Sequence, residues 1–322
     1  MNYPLVSILI PVFNRENILS KTIESAIAQN YANIEIIIVD NCSTDGTWEI
    51  IEKYSKKDNR IKAFRNTENI GPVRNWLACV DKASGVYSKI LWSDDLIHPD
   101  FLRKLVPFLN DPTVGFAYSS TIIFTDEPLD SETILFSKMA SGIYHSERFI
   151  EDTFLVGDLP VSPGCAVFRT IDVKNNLILH VPNGVCSDFS MHAIGNDLLL
   201  FLLTAHKYKN FAVINEPLSY FRAHEGSITV ASSSEKVTVH YDLAKGFFAE
   251  KYIDKISFLK KINCIFLIHI LYFNFGKFGI KSIKDFYPNK KYLGLDYIFF
   301  IKIIIYKIFK KITNFPQSKA GT

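Results

Sequence analysis

Five short apolar runs, most of them followed by a stretch with helical spacing, confine this chain to a small set of folds. Residues 5–12 form a run closed by Pro11 and Asn14, the pattern of a strand covered on both faces. Ile18, Leu19, Thr22, Ile23, Ala26 and Ile27 then recur along one helix face. Runs at 34–39, 61–64, 86–91 and 114–124 repeat the strand signal. Trp48, Ile51 and Tyr54, then Val73, Trp76, Leu77 and Val80, then Leu102, Leu105, Val106 and Leu109 repeat the helical one. This alternation predicts right-handed crossovers and an α/β, Rossmann-like, mostly parallel sheet covered by helices. Sheets of that kind bind ligands at the carboxyl ends of their strands.

The fourth run ends abruptly in Ser93-Asp94-Asp95. A buried strand cannot hold two like charges in its middle, so the acids belong at its end, facing a cleft. Adjacent carboxylates there destabilise one another unless a cation compensates. Oxygen ligands imply Mg²⁺ or Mn²⁺, and the ion in turn holds a diphosphate. Asp40 closes the second run, where it can accept from a base N–H or a ribose hydroxyl, or simply cap a turn. Ser43 or Thr44 is the expected N-cap of the next helix. Arg15 and Arg74 are placed to meet phosphate or the carboxylates, with solvent as the plain alternative. Asn69-Ile70-Gly71 reads as a turn before the third helix. Farther on, 125–230 is less regular. Residues 165–169 read as a strand, and 212–214 as another that turns at 215–217 into 218–222. Asp197 opens the apolar helical run 198–205, where desolvation raises a carboxyl pKa towards that of a general base; capping is the alternative, and Asp188 is a competitor. His224 is a candidate metal ligand or phosphate donor.

Composition narrows the class. With 48% hydrophobic residues over 322 the chain is not disordered. Its five cysteines include no CxxC pair, which fits a reducing compartment and argues against a disulfide framework or a zinc site. The first residues show no secretory signal pattern. From Lys255 onward there are thirteen Lys and no Arg against two acids, Asp285 and Asp296, a balance of +11 that leaves −8 on the rest. The cations are interleaved with Ile and Phe, so a nucleic-acid surface is the poorer reading. No run approaches the roughly 18 apolar residues of a membrane span. An amphipathic helix over 296–312, lying on an anionic membrane surface, is expected; a helical subdomain packed on the core is the alternative.

Taken together, Val6-Ser7-Ile8-Leu9-Ile10-Pro11-Val12-Phe13-Asn14-Arg15, Ile38-Val39-Asp40-Asn41-Cys42-Ser43-Thr44-Asp45-Gly46-Thr47, Asn69-Ile70-Gly71 with Arg74-Asn75, and Ser93-Asp94-Asp95 resemble the family 2 glycosyltransferases of GT-A fold. Pro163-Gly164 through Phe168-Arg169, Asn196-Asp197, and Pro217-Leu218 through Arg222, His224 and Ser227 continue the resemblance to about residue 230. It implies a GT-A domain over 1–230, with a nucleotide-sugar half at 1–110 and an acceptor half at 111–230, and a helical membrane-associating extension at 231–322. It further implies inverting transfer from a nucleotide-diphosphate sugar, usually UDP-linked, with Mg²⁺ or Mn²⁺. Pro11, Phe13, Asn14 and Asp40 would line the nucleoside side of the donor site. Arg15, Asn69, Arg74 and Ser93 would complete it. Asp95 would be the metal ligand, with Asp94 set towards ribose or metal and His224 near the diphosphate or the metal. Asp197 matches the catalytic base of the family's Glu-Asp pair. Trp92 stands where many members carry an additional Asp, and Asn196 where they carry Glu. The expected setting is the cytoplasmic face of a bacterial inner membrane, with a lipid-linked saccharide acceptor in surface polysaccharide assembly. A nucleotidyltransferase would show a Gly-rich phosphate loop at 11–15, and a dinucleotide oxidoreductase a GxGxxG there; neither is present. A non-catalytic sugar-nucleotide-binding scaffold would differ by lacking turnover.

Overall fold

The computed structural model describes residues 3–125, 133–155, 157–224, 226–227 and 232–313, with side chains through residue 306. Strands β1 (Val6–Val12), β2 (Ile34–Asp40), β3 (Ile61–Arg65) and β4 (Tyr87–Ile90) alternate with helices α1 (Leu19–Ile27), α2 (Thr47–Ser55) and α3 (Pro72–Lys82). These four strands are parallel, in the order β3-β2-β1-β4. The cause lies in their side chains. Val6, Ile8, Ile10, Ile36 and Ile38 point into one core, with Leu19 and Ile23 of α1. Leu9, Ile37 and Val39 point into another, with Val73, Trp76 and Val80 of α3. Period-two alternation with both faces covered is what an unbroken apolar run encodes.

The second half makes the sheet mixed. It comprises β5 (Leu96–Ile97), α4 (Phe101–Leu105), β6 (Val114–Phe124), β7 (Ile134–Leu135), β8 (Gly142–His145), α5 (Ser146–Leu155), β9 (Ala166–Arg169), α6 (Thr170–Asn176), α7 (Phe189–His192), α8 (Asn196–Lys207) and β10 (Asn210–Arg222). The sheet continues β4-β9-β6-β10-β5, with β7 on β6 and β8 on β10. β9 is antiparallel to both β4 and β6, while β10 runs parallel to β6. The strand and turn expected at 212–222 are one strand: register shifts around Pro217 absorb the proline, which has no N–H to give to a ladder. Helix α5 had no counterpart in the sequence pattern. Its Phe149 packs edge-on or stacked with Phe116, Phe201 and Phe211.

Beyond residue 230 come α9 (Ser234–Tyr252), α10 (Ile256–Tyr272) and α11 (Tyr297–Thr313). Helix α9 lies within the stretch expected to be helical; Ser233 caps it, its side chain accepting from Lys236 N–H at 3.2 Å. Packing crosses residue 230. Leu198, Leu199 and Leu202 of α8 share a core with Val239, Leu243 and Phe248 of α9, Phe258 and Phe266 of α10, and Phe286 and Tyr287. Helix α11 is different: Tyr297, Ile298, Ile301, Ile305 and Tyr306 are all exposed. Of the lysines expected on its basic side, the side chains of Lys307, Lys310 and Lys311 lie outside the described residues. Among the described residues no helix is long and apolar enough to cross a membrane.

Gly246 fixes how α9 docks. A Cβ there would collide with the Phe286 carbonyl oxygen, so the helix and the 3₁₀ turn Ile283–Phe286 touch through backbone. Gly246→Ala should therefore destabilise the fold by about 3 kcal/mol, the upper range for overpacking. Urea denaturation measures this, and limited proteolysis should cut first in the segment after Tyr252.

Candidate active site

Strand β4 stops at Ile90, and the chain turns outward through Trp92 and Ser93. The Asp95 N–H donates to the Trp92 carbonyl at 3.1 Å, and the Thr22 hydroxyl to the Ser93 carbonyl at 3.1 Å. Strand β5 then pairs antiparallel with Ser219 and Tyr220 of β10, which brings the end of β10 against the acids. Arg222 N–H donates to Asp95 Oδ1 at 2.9 Å, and Arg222 Nε to the Asp94 carbonyl at 3.1 Å. His224 Nε2 and Asp94 Oδ2 lie 2.8 Å apart. The guanidinium of Arg222 rests over the Phe124 ring at 4.5 Å.

Sequence reasoning missed Lys89, which lies wholly buried beneath this corner. Its ammonium donates to the Gly164 carbonyl and sits 4.5 Å from the centre of the Phe101 ring. The signal was a lysine inside a buried strand, the kind of position where charge is seldom kept without a role. Trp92 has a structural part of its own: its Nε1 donates to Ser162 Oγ at 2.8 Å and its ring packs on Trp76 at 4.6 Å. The indole clasps the turn that leads into β9.

On the other side of β1 the loops are knitted by side chains. Pro11 is buried in β1, opposite Val39, and Phe13 beyond it is exposed. Asn14 takes positive φ (51°), which Asn tolerates. Its N–H donates to Ser43 Oγ at 2.9 Å, and its Oδ1 accepts from Thr44 N–H at 2.9 Å. Asp40 is fully buried; it accepts from the N–H and hydroxyl of Ser43 and from Arg65 Nε at 3.1 Å. Ser43 and Thr44 thus serve this knot instead of capping α2, which begins at Thr47 with its N–H on Asp45 Oδ1 at 3.1 Å. Arg15 reaches across the cleft to the Gly226 carbonyl at 3.0 Å. Asn69 Oδ1 accepts from Asn41 Nδ2 at 2.8 Å and from Gly71 N–H at 3.0 Å. Arg74 Nη1 donates to Ser190 Oγ at 3.0 Å, joining α3 to α7.

Asp197 stands on the first turn of α8. Its Oδ1 accepts from Gly195 N–H at 2.9 Å and Leu198 N–H at 2.8 Å, and its Oδ2 from the Tyr241 hydroxyl at 3.0 Å. Asn196 donates to the Ile178 carbonyl at 2.7 Å, and its buried Oδ1 has no partner among the described residues. Asp188 acts as a cap. Its Oδ1 accepts the N–H and hydroxyl of Ser190, at 3.0 and 2.6 Å, at the start of α7.

A family model described as Glycosyl transferase family 2 matches residues 7–174, more than half of the chain. The chain belongs to that family. An uncharacterized glycosyltransferase of Haemophilus influenzae is 43% identical over 109 residues, which are 34% of this chain and 44% of that relative. The chain thus spans less than half the length of that relative. The UDP-Glc:alpha-D-GlcNAc-diphosphoundecaprenol beta-1,3-glucosyltransferase WfaP of Escherichia coli is 28% identical over 233 residues, covering 72% of this chain and 83% of WfaP. The crystal structure of S. aureus TarS 1-349 in complex with UDP-GlcNAc superposes with a TM-score of 0.62 at 19% identity, covering 86% of this chain and 76% of that one. This likeness shows the fold to be that of TarS.

Electrostatics separate the acids of this family 2 glycosyltransferase. Burial, then repulsion from Asp94, pushes the Asp95 carboxyl well above the usual range; Arg222 N–H, Lys89 and the Arg222 charge oppose that. Burial pulls Lys89 down to about 7. Asp188 is held below the usual range by its Ser190 hydrogen bonds. Burial raises Asp197 to about 6, against its backbone and Tyr241 donors. Among the described residues no three His, Cys, Asp or Glu side chains are grouped to hold a metal ion. Of the set expected from sequence, Asp95, Asp94 and His224, the His224 Nε2 is turned onto Asp94. The two carboxylates remain a hard oxygen pair of the type Mg²⁺ or Mn²⁺ accepts when phosphates and water complete the shell.

A carboxyl whose pKa is raised by burial weakens the fold once it ionises. The stabilisation from a raised carboxyl pKa is complete below about pH 4 and is lost as pH rises through about 6. Asp197→Asn should therefore unfold at a higher temperature than the wild type at pH 7–8, by on the order of 2–3 kcal/mol. The gap should close near pH 4; melting curves across that range check it.

Proposed function

We propose that this protein is an inverting glycosyltransferase that moves a sugar from a UDP-linked donor to a hydroxyl of a lipid-linked saccharide during bacterial surface polysaccharide assembly. The observation that carries this is the Asp94-Asp95 pair at the carboxyl edge of β4, locked to the end of β10 in a family 2 chain. The 28% identity to WfaP over 233 residues supports the choice of acceptor class. In this reading residues 1–110 supply the donor half and 111–230 the acceptor half. Pro11, Phe13, Asn14 and Asp40 frame the nucleoside, Asn69 and Ser93 shape the loops around it, and Arg15, Arg74 and His224 supply positive or donor groups towards the diphosphate. Asp95 and Asp94 would hold Mg²⁺ or Mn²⁺, which when bound supplies Lewis-acid neutralisation of the leaving diphosphate. Asp197 removes the proton of the acceptor hydroxyl. The freed oxygen pair bonds to the anomeric carbon, the bond to the diphosphate oxygen breaks on the opposite face, and its electrons leave with UDP.

The membrane side of the reading rests on α11. Tyr297 and Ile298 are 70% and 71% exposed, and the chain beyond Lys255 carries a balance of +11. An apolar face within a basic segment suits an anionic bilayer surface, which supports a peripheral position on the cytoplasmic leaflet beside a lipid-linked acceptor.

Two experiments test this. In a screen of UDP-sugars for UDP release, with and without Mn²⁺ and with bacterial lipid extract as acceptor, Asp197→Asn should lose transfer by roughly 10²–10⁴-fold while still binding UDP. An Asp197→Asn enzyme with wild-type turnover sinks the assignment. For the membrane, Ile298→Glu combined with Ile301→Glu should weaken binding to anionic vesicles by about tenfold or more. These exposed positions leave the core intact, so unchanged sedimentation with vesicles would remove the membrane reading alone.

A further inference from the structure

We propose that Tyr241 is a positioning residue for the base: its hydroxyl fixes Oδ2 of Asp197 as the atom that takes the acceptor proton, making helix α9 part of the acceptor-side apparatus. This rests on the reading of Asp197 as the base. A carboxylate oxygen offers two lone-pair sites. Oδ1 fills both with Gly195 N–H and Leu198 N–H, donors of its own helix turn. Among the described residues, Oδ2 receives a hydrogen bond only from the Tyr241 hydroxyl, 44 positions away. The remaining lone pair on Oδ2 is the one available to a substrate hydroxyl. The proton then passes from that hydroxyl to Oδ2, and the oxygen pair goes to the anomeric carbon as above.

Tyr241 is suited to hold this oxygen still. Burial and the Asp197 charge keep its hydroxyl protonated well above the ordinary range, so it remains a donor at every working pH. Its ring forms part of the wall of a cavity of about 180 Å³ lined also by Thr153, Asp242, Lys245 and His269. Asp242 is tied there to His269 Nδ1 at 2.6 Å. The other titratable groups around the pair are named by the packing. The His192 and His240 rings lie 4.0 Å apart, tilted by 49°, with the His240 backbone beside Gly195, and Arg74 and Asp188 meet at Ser190 on α7. Burial holds both histidines below their ordinary range. A donor to the ionised carboxylate favours that form, so removing it raises the base's pKa further above about 6.

The test is Tyr241→Phe in the full chain, which removes one oxygen and keeps the ring. ¹³C-carboxyl NMR, with Asp197→Asn to assign the signal, should show the Asp197 midpoint moving upward by about one pH unit. With the UDP-sugar that turns over in the donor screen, the acidic limb of the kcat profile should move by the same amount. Transfer should fall about fivefold at pH 6 and be nearly unchanged at pH 8. An unmoved midpoint overturns the proposal. So does a moved midpoint with an unmoved limb and wild-type rates at pH 6, which would make the hydrogen bond structural only. Should Asp197→Asn itself retain transfer, the base assignment fails instead, a result separable from either outcome.

Discussion

A carboxylate taken out of water needs its hydration replaced, at a penalty of several kcal/mol if it is not. Asp95 is 5% exposed and has a second acid next to it in the chain. The architecture around β4 answers that demand piece by piece. The short strand β5 pairs with β10, and the pairing delivers the Arg222 N–H to Asp95. The Arg222 side chain closes on the carbonyl of Asp94, and His224 on its carboxylate. Lys89 contributes positive charge from below, at the expense of being buried itself. The long, bulged β10 is therefore the element that links the acid motif, read early in the chain, to groups more than 120 residues later.

The same residue type behaves in opposite ways within nine positions. Asp188 receives two donors from Ser190 and settles as a helix cap with a strongly acidic carboxyl. Asp197 is surrounded by apolar side chains of α8 and α9 and becomes a weaker acid, poised to exchange a proton near neutral pH. Local sequence tells them apart only in part, through the apolar run 198–205 that follows Asp197. The environment decides, and part of that environment comes from a helix after residue 230.

That difference marks what was legible beforehand. Strands β1 and β2 announced themselves because both faces are covered, so apolar side chains run on without a break. Asp94 and Asp95 stood out for the opposite reason, as charges where burial forbids them. Strand β10 was misread because Pro217 carries a turn signal that the β6 pairing overrides with a bulge. Helix α9 fell within the expected helical extension, but its docking on the core was hidden because His240, Asp242 and Lys245 interrupt its apolar positions, although each finds a buried or partly buried setting. His224 was expected as a ligand, yet its orientation onto Asp94 depends on where β10 ends, which no local pattern encodes. Tyr241 carried no signal at all, because its meaning lies in a partner on another helix.

The charge separation along the chain has an electrical consequence. The chain up to residue 254 carries −8 and the remainder +11, and the exposed apolar face of α11 lies within that basic remainder. Near an anionic surface such a molecule experiences a torque as well as an attraction, within a distance set by the Debye length, about 8 Å at physiological ionic strength. On the membrane reading proposed above, the basic segment would be drawn down and the acidic part held off. On that reading added salt would loosen the angular alignment before it released the apolar contact, so orientation and attachment would respond to different variables.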